Sequence, residues 1–292
     1  MKLVTRLYYF SIYTNLLIAL AAAAQCALTY IFFEKPFNYY IIAIEGAATL
    51  LLYNFSLILS KPADPAASIY RRTRWIFSRE WLLWLNGGCA LIVLVYAVFH
   101  IDFYSLLFLG GIGVVSVAYS FPVARYGGKW VGLRQIPGMK IFHIALVWTL
   151  SSVCLPAFQL YREGAGVNIQ ELSMLFVLKF VFLLVCTLPF DIRDIRQDSY
   201  YHLKTIPNML GADRAIRLCY ALLLLHSLGI VLSSFNLSLK IGILLTNLTI
   251  GLVLSAVVFR NKDKYHYAYL LDFALVVQFL FGFLSVAIFP DM

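Results

Sequence analysis

Charge is what this sequence has least of. Of its 292 residues, 13% are Asp, Glu, Lys or Arg, where a soluble domain carries about a quarter. Hydrophobic residues make up 62% and mean hydropathy is +0.84. That much apolar surface does not fit inside one aqueous core, so a soluble globule is excluded and the bilayer becomes the expected solvent. Alternation of apolar and polar residues is also missing, which excludes a membrane β-barrel. No Gly/Ser-rich or Pro-rich linker divides the chain, so 1–292 reads as a single transmembrane domain. No internal repeat is strong enough to argue an inverted-repeat transporter. The cysteines (Cys26, Cys89, Cys154, Cys186 and Cys219) lie scattered in apolar runs without a CxxC pair. They read as inert packing thiols, not as a redox or zinc centre. The histidines lack metal-ligand spacing and read as packing or interfacial residues, with His202 set apart by its place beside an acidic stretch.

What the sequence does have is a series of long apolar runs. They fall near 8–31, 39–59, 81–99, 103–121, 139–158, 171–190, 213–233, 238–259 and 267–289. Lipid offers the backbone no hydrogen-bond partners, so each run must close its own bonds as a helix. Each is close to the roughly 20 residues a hydrocarbon core requires. The expectation is an all-α polytopic membrane protein, with about nine transmembrane helices around a central cavity open to the cytoplasmic side. The first run is too long for the apolar part of a cleavable leader, and is expected to stay as a span.

Basic residues fall in every second connection. One set of loops holds 19 of the 23 Lys and Arg, while Lys35, Arg162 and Lys240 lie on the other side and Lys179 lies inside a span. The positive-inside rule then sets the N-terminus in the cytoplasm and the C-terminus outside a cytoplasmic membrane. The net charge of +9 is read as this topology signal, with no nucleic-acid partner implied. Anionic ligands or lipid head groups are its second reading.

Acidic residues are scarce, so three in one short stretch stand out. After the sixth run the chain reads Pro189-Phe190-Asp191-Ile192-Arg193-Asp194-Ile195-Arg196-Gln197-Asp198. In a helix, Asp191, Asp194 and Asp198 share one face, at i, i+3 and i+7. Three carboxylates side by side repel, and hard oxygen ligands of this kind suit Mg²⁺, which shares its shell with substrate phosphates. The alternative is a solvated acidic helix end paired with Arg193 and Arg196. The chain continues as Lys204-Thr205-Ile206-Pro207-Asn208-Met209-Leu210-Gly211.

Together, D-x-x-D-x-x-x-D and the following K-T-x-P-x-x-L-G resemble the second aspartate-rich motif of the UbiA superfamily of intramembrane prenyltransferases. Tyr119-Ser120-Phe121-Pro122, trailed by Arg125 and Lys129, is similar to that family's Y-S-x-P segment. The resemblance implies removal of diphosphate from a polyprenyl donor and transfer of the allylic carbon to a lipophilic, often aromatic acceptor. It implies Mg²⁺ on Asp191, Asp194 and Asp198. It implies diphosphate contacts at Asn54, Tyr119, Arg125, Lys129 and Lys204, to which the basic loop after the second span adds Arg71 and Arg72 as candidates.

One stretch departs from the family pattern. The first motif, N-D-x-x-D-x-x-x-D, is expected after the second span, where the chain has Asn54 followed by Phe55, Ile58 and Pro62 in place of carboxylates. The next loop is basic instead, with Lys61, Arg71, Arg72 and Arg74. With Arg125, Lys129 and Arg134 of a later loop, these offer a direct cationic grip on phosphate; the other reading is lipid head-group contact. Two function classes follow: a Mg²⁺-dependent prenyltransferase, or a non-catalytic protein of the same fold that binds or transports a polyprenyl lipid. Glu45 and Asp272 lie within apolar runs, and acids at such depth are functional candidates. For Glu45 the alternative is an interhelical hydrogen bond, and for Asp272 a hydrated ion pair.

Overall fold

A computed structural model describes residues 2–119, 121–200, 203–261 and 265–290; the side chains of Lys2, Lys129, Tyr265 and His266 fall outside that description. The helices are α1 (Lys2–Tyr13), α2 (Leu16–Phe32), α3 (Tyr39–Leu59), α4 (Arg71–Phe77), α5 (Trp81–Val98), α6 (Phe103–Val117), α7 (Met139–Thr149) and α8 (Leu155–Arg162). They continue with α9 (Ile169–Arg193), α10 (Ile195–Tyr200), α11 (Ile206–Leu210), α12 (Ala212–Leu232), α13 (Leu237–Val253) and α14 (Leu270–Ile288). The one sheet among the described residues is a hairpin, β1 (Ala124–Tyr126) with β2 (Lys129–Val131). Its two-residue turn is Gly127-Gly128, both at positive φ, as a tight hairpin turn of this hand requires.

The chain is an all-α integral membrane protein, and seven of the nine expected spans are present. Among the described residues, seven helical segments are long and apolar enough to cross a bilayer: α3, α5, Met139–Arg162, α9, α12, Leu237–Val258 and Tyr267–Ile288. The first expected span, 8–31, is a bent pair in which the helices meeting near Asn15 turn by 80°. Asn15 has φ 61°, the left-handed region that Asn enters more readily than most residues. The fourth expected span, 103–121, is the 15-residue α6, roughly 22 Å long against a hydrocarbon core of about 30 Å. Asp102 begins that helix by accepting hydrogen bonds from the backbone N–H groups of Tyr104 (3.0 Å) and Ser105 (3.4 Å). Pro122 biases the residue before it out of the helical region, and α6 stops short of it.

Helix α2 packs between α3 and α14, and α9 packs against α7 and α12. Where α13 crosses α14, a Cβ on Gly242 would lie 2.4 Å from the Phe281 carbonyl oxygen; only glycine allows backbones this close. Two prolines bind neighbouring helices together through the carbonyls they release. Pro156 cannot donate to Ser152, and the Ser152 carbonyl accepts instead from Thr29 Oγ1 of α2 (2.7 Å). Pro189 cannot donate to Val185, whose carbonyl accepts from Cys219 Sγ of α12 (3.5 Å). In lipid a freed carbonyl needs such a partner. Deeper in the bundle, Lys179 of α9 donates to Gln25 Oε1 (2.5 Å), and Gln25 Nε2 donates to the Leu275 carbonyl (2.7 Å). Helices α2, α7, α9 and α14 line a cavity at the end of the bundle where Arg72, Lys140 and Arg193 lie.

Candidate functional site

The cavity has a volume of about 250 Å³. Its walls come from the Asn15 break, the α3 and α4 regions, α7, α9 and the start of α14. Its interior is apolar, with Ile144, Trp148, Leu183 and Leu275, while Arg72, Lys140, Asp191, Arg193 and Asp272 line it as well.

The acidic side is built at the end of α9. Asp191 is in its last turn, Asp194 is its C-cap at φ −93° and ψ 10°, and Asp198 lies in α10. The helix therefore breaks inside the motif, and the three carboxylates do not share one continuous helical face. Asp191 and Asp198 are both buried, and both reach one ammonium from the first turn of α7. Lys140 Nζ lies 2.8 Å from Asp191 Oδ1 and 2.9 Å from Asp198 Oδ2. Asp194 pairs instead with its neighbour: Arg193 Nε and Nη2 donate to its two oxygens, each at 2.7 Å. Among the described residues, no group of three His, Cys, Asp or Glu side chains is arranged to hold a metal ion. Asp191 Oδ2 is buried without a hydrogen-bond partner. A half-satisfied buried carboxylate beside a second one is a donor set that one hard divalent cation fits.

The opposite side carries asparagine and arginine. Arg72, from the start of α4, donates through Nη2 to Asn15 Oδ1 (2.5 Å) and through Nη1 to the Tyr269 hydroxyl (3.2 Å). Asn15 Nδ2 donates to Asn54 Oδ1 (2.9 Å), and Asn54 Nδ2 reaches the Leu83 carbonyl at 3.5 Å. Asn54 thus fixes the Asn15 amide, which in turn aims the guanidinium. The Nε of Arg72 is buried and has no partner. Arg193 lies over the rings of Phe190 (5.0 Å) and Tyr269 (5.6 Å), so both arginines converge on Tyr269.

The sequence-predicted residues separate on this geometry. Asp191 and Arg72 line the cavity, Asp198 reaches it through Lys140, and Asn54 stands behind Asn15. Tyr119 is one layer further out, stacked on His143 with ring centroids 5.5 Å apart. Arg71 turns outward over the Tyr9 ring (5.7 Å), Lys61 pairs with Glu80 (2.6 Å), and Arg74 donates to the Ser68 carbonyl. Arg125 is exposed on the hairpin. Lys204 is exposed too, and contributes its carbonyl, which accepts from the Gly138 N–H at the start of α7 (2.7 Å). Ser120, His202 and the Lys129 side chain lie outside the described residues. Asp272 lines the cavity. Glu45 is buried and bonded to Ser151, away from it. Arg193 was read as an ion-pair partner of the acidic helix end, and it does pair with Asp194; the cavity places of Lys140, Asn15 and Tyr269 escaped sequence reasoning. Lys140 was counted only as a loop charge, yet an Asn inside the apolar run 8–31 was a visible signal of a break.

No protein-family model matches the chain, and no curated protein sequence does. Solved structures do match. An apo UbiA homolog from Aeropyrum pernix K1 superposes with a TM-score of 0.63 at 15% identity, covering 91% of this chain and 96% of that one. The chain has the UbiA fold. A UbiA homolog from Archaeoglobus fulgidus, solved bound to GPP and Mg²⁺, gives a TM-score of 0.58 at 14% identity over 96% of this chain and 99% of that one. A digeranylgeranylglyceryl phosphate synthase gives 0.51 at 12% identity over 96% and 98%. Likeness along nearly the whole length, with identity this low, means that the UbiA fold is held here by packing and hydropathy more than by shared residues.

Proposed function

We propose that the chain is an intramembrane transferase that moves a prenyl group from a prenyl diphosphate to a lipophilic, often aromatic acceptor. The observation that carries this is one cavity in which Arg72, Lys140 and Arg193 meet Asp191 beside an apolar, aromatic interior. A prenyl diphosphate is built the same way, with a dianionic head and a hydrocarbon tail. A relative of the same fold was solved with GPP and Mg²⁺.

The chain's own residues account for most of the chemistry. Arg72 is pre-aimed by Asn15 and Tyr269, and its free Nε offers the diphosphate a further donor. As the bond between the allylic carbon and oxygen breaks, charge grows on the leaving diphosphate. Fixed cations then stabilise the transition state more than the ground state. Tyr53 and Trp148 present ring faces to the allylic cation, and Ile144, Leu183 and Leu275 keep water away from it. Asp191 and Asp198, with Asp194 beside them, would hold Mg²⁺. The ion supplies Lewis-acid charge on the diphosphate oxygens. Residues 1–292 act as one domain, with the basic loops in the cytoplasm. With the shortened α6 crossing between α5 and Met139–Arg162, thiol labelling of single cysteines placed at Ser68 and Gln170 is expected from opposite faces of sealed vesicles; equal labelling from one face rules this orientation out.

A second reading, a non-catalytic protein that binds or transports a polyprenyl lipid, has one observation behind it. Asn54 stands alone where the family pattern has carboxylates, and it is occupied by Asn15 and Leu83. Radiolabelled GPP separates the readings. Mg²⁺-dependent binding to the chain in nanodiscs should fall about tenfold or more in Asp191→Asn, the scale of one charged interaction. Binding unchanged in that variant, with its melting curve intact, rejects the site. Binding without prenyl transfer to any aromatic acceptor tried, and so without release of diphosphate, favours the non-catalytic reading.

A further inference from the structure

Lys140 occupies the position from which a cation would bridge the two buried aspartates. Its ammonium touches Asp191 Oδ1 at 2.8 Å and Asp198 Oδ2 at 2.9 Å, and its side chain is 18% exposed, on the cavity wall. Two carboxylates held this close repel one another, and a single ammonium leaves the group one charge short of neutral. The shortfall is visible as Asp191 Oδ2, buried and unpartnered. Asp194 does not share this pair, because Arg193 takes both of its oxygens.

A divalent cation would neutralise the pair fully, but it cannot share the same oxygens with an ammonium, since the two cations repel. The ammonium must then leave. It sits on a flexible four-carbon stem rooted at the start of α7, and the cavity is where it can go. There it joins Arg72 and Arg193 against the two acids Asp194 and Asp272, leaving one positive charge in excess that a bound anion would offset.

We propose that Lys140 is an exchangeable counter-ion. It holds Asp191 and Asp198 together until a divalent metal displaces it, and it then binds the diphosphate. The proposal rests on the reading that these aspartates take the metal and this cavity takes the diphosphate. It makes a specific demand: metal and diphosphate must bind with positive coupling. Each strengthens the other by the same factor, as linkage requires. Metal alone binds weakly because it strands an ammonium, and diphosphate alone binds weakly because Lys140 is engaged.

The test uses the full chain in nanodiscs, Mn²⁺ followed by electron paramagnetic resonance, and inorganic pyrophosphate. In the wild type, saturating pyrophosphate is expected to tighten Mn²⁺ binding about tenfold or more, within the usual range of coupling between two sites. In Lys140→Met, Mn²⁺ alone should bind about tenfold more tightly than in the wild type, and the tightening by pyrophosphate should shrink by about the same factor, leaving only the part that comes from the metal's own contact with the diphosphate. Lys140→Gln, which offers the carboxylates neutral N–H donors, should behave the same way and replaces Lys140→Met if that variant does not fold. The proposal is overturned if both neutral variants bind Mn²⁺ no more tightly than the wild type, or keep its full response to pyrophosphate. Asp191→Asn separates the two failures. If it binds Mn²⁺ with pyrophosphate as well as the wild type does, the metal is elsewhere and the underlying reading falls with the proposal. If it loses the metal while the Lys140 variants match the wild type, only the exchange is wrong.

Discussion

The α9–α10 corner and the wall made by Asn15, Asn54 and Arg72 face one another across a single cavity, and they carry opposite kinds of charge. The corner keeps three aspartates but offsets two of their three charges from within, through Lys140 and Arg193. The facing wall has Phe55, Ile58 and Pro62 at the positions where carboxylates were expected. It offers instead one guanidinium, oriented by an asparagine pair and by Tyr269. A bound diphosphate needs several positive charges whatever supplies them. A wall that loses aspartates also loses the metal they would hold, and a direct arginine removes the need for either. Under the proposed reading, one charge requirement would be met by metal-binding acids on one side and by protein cations on the other.

The comparison breaks most decisively at Arg72. If it is the working cation of the carboxylate-free wall, Arg72→Ala should weaken diphosphate binding by roughly tenfold to a hundredfold, the scale of about 1.5–3 kcal/mol for charged hydrogen bonds. Arg71→Ala, next to it in sequence but turned outward over Tyr9, should change binding by less than about threefold. Isothermal titration with a prenyl diphosphate at fixed Mg²⁺ measures both. Equal effects would mean that loop charge as a whole, and not one aimed guanidinium, attracts the ligand. The same titration should find one metal per bound diphosphate. Two metals, with Arg72→Ala silent, would leave the cationic wall without a role.

The two walls were not equally legible in the sequence. Asp191 and Asp198 stand in a recognisable spacing, and the scarcity of acids in this chain already set them apart. The pattern assumed an unbroken helix, though, and the corner at Asp194 sends that side chain to Arg193. A helix end after a proline-bearing turn is decided by tertiary packing, which periodicity does not report. Lys140 was hidden because loop lysines in a membrane protein have a sufficient explanation in topology; only the fold reveals which one turns inward. Arg72 was legible as one of several basic residues and not as the one that counts. Its selection depends on Asn15, and Asn15 matters because the chain breaks there. Most spans were visible as apolar runs. Those that departed did so at a left-handed asparagine and at a helix cut short by an aspartate cap and a proline, both local features that a hydropathy window averages away.

The smallest expected effect is the most informative about how the carboxylate-free wall works. Asn54 does not line the cavity. It accepts from Asn15 Nδ2 at 2.9 Å, which leaves the Asn15 carbonyl oxygen pointing at Arg72. Asn54→Leu keeps the side-chain size and removes that acceptor. Asn15 Nδ2 then sits buried without a partner, at a cost of about 1–3 kcal/mol in stability, which a lowered melting temperature in detergent will register. Its amide is no longer fixed, so Arg72 loses its aim while keeping its charge. Diphosphate affinity should fall about threefold, less than in Arg72→Ala, because the guanidinium is still present. If Asn54 acts only through Arg72, the double variant Asn54→Leu/Arg72→Ala should bind no more weakly than Arg72→Ala alone, since residues of one hydrogen-bonded chain are not additive. Additive losses would instead give Asn54 its own contact with the ligand or the metal. That outcome would return this wall to the direct contact with the diphosphate that the family resemblance implies for Asn54.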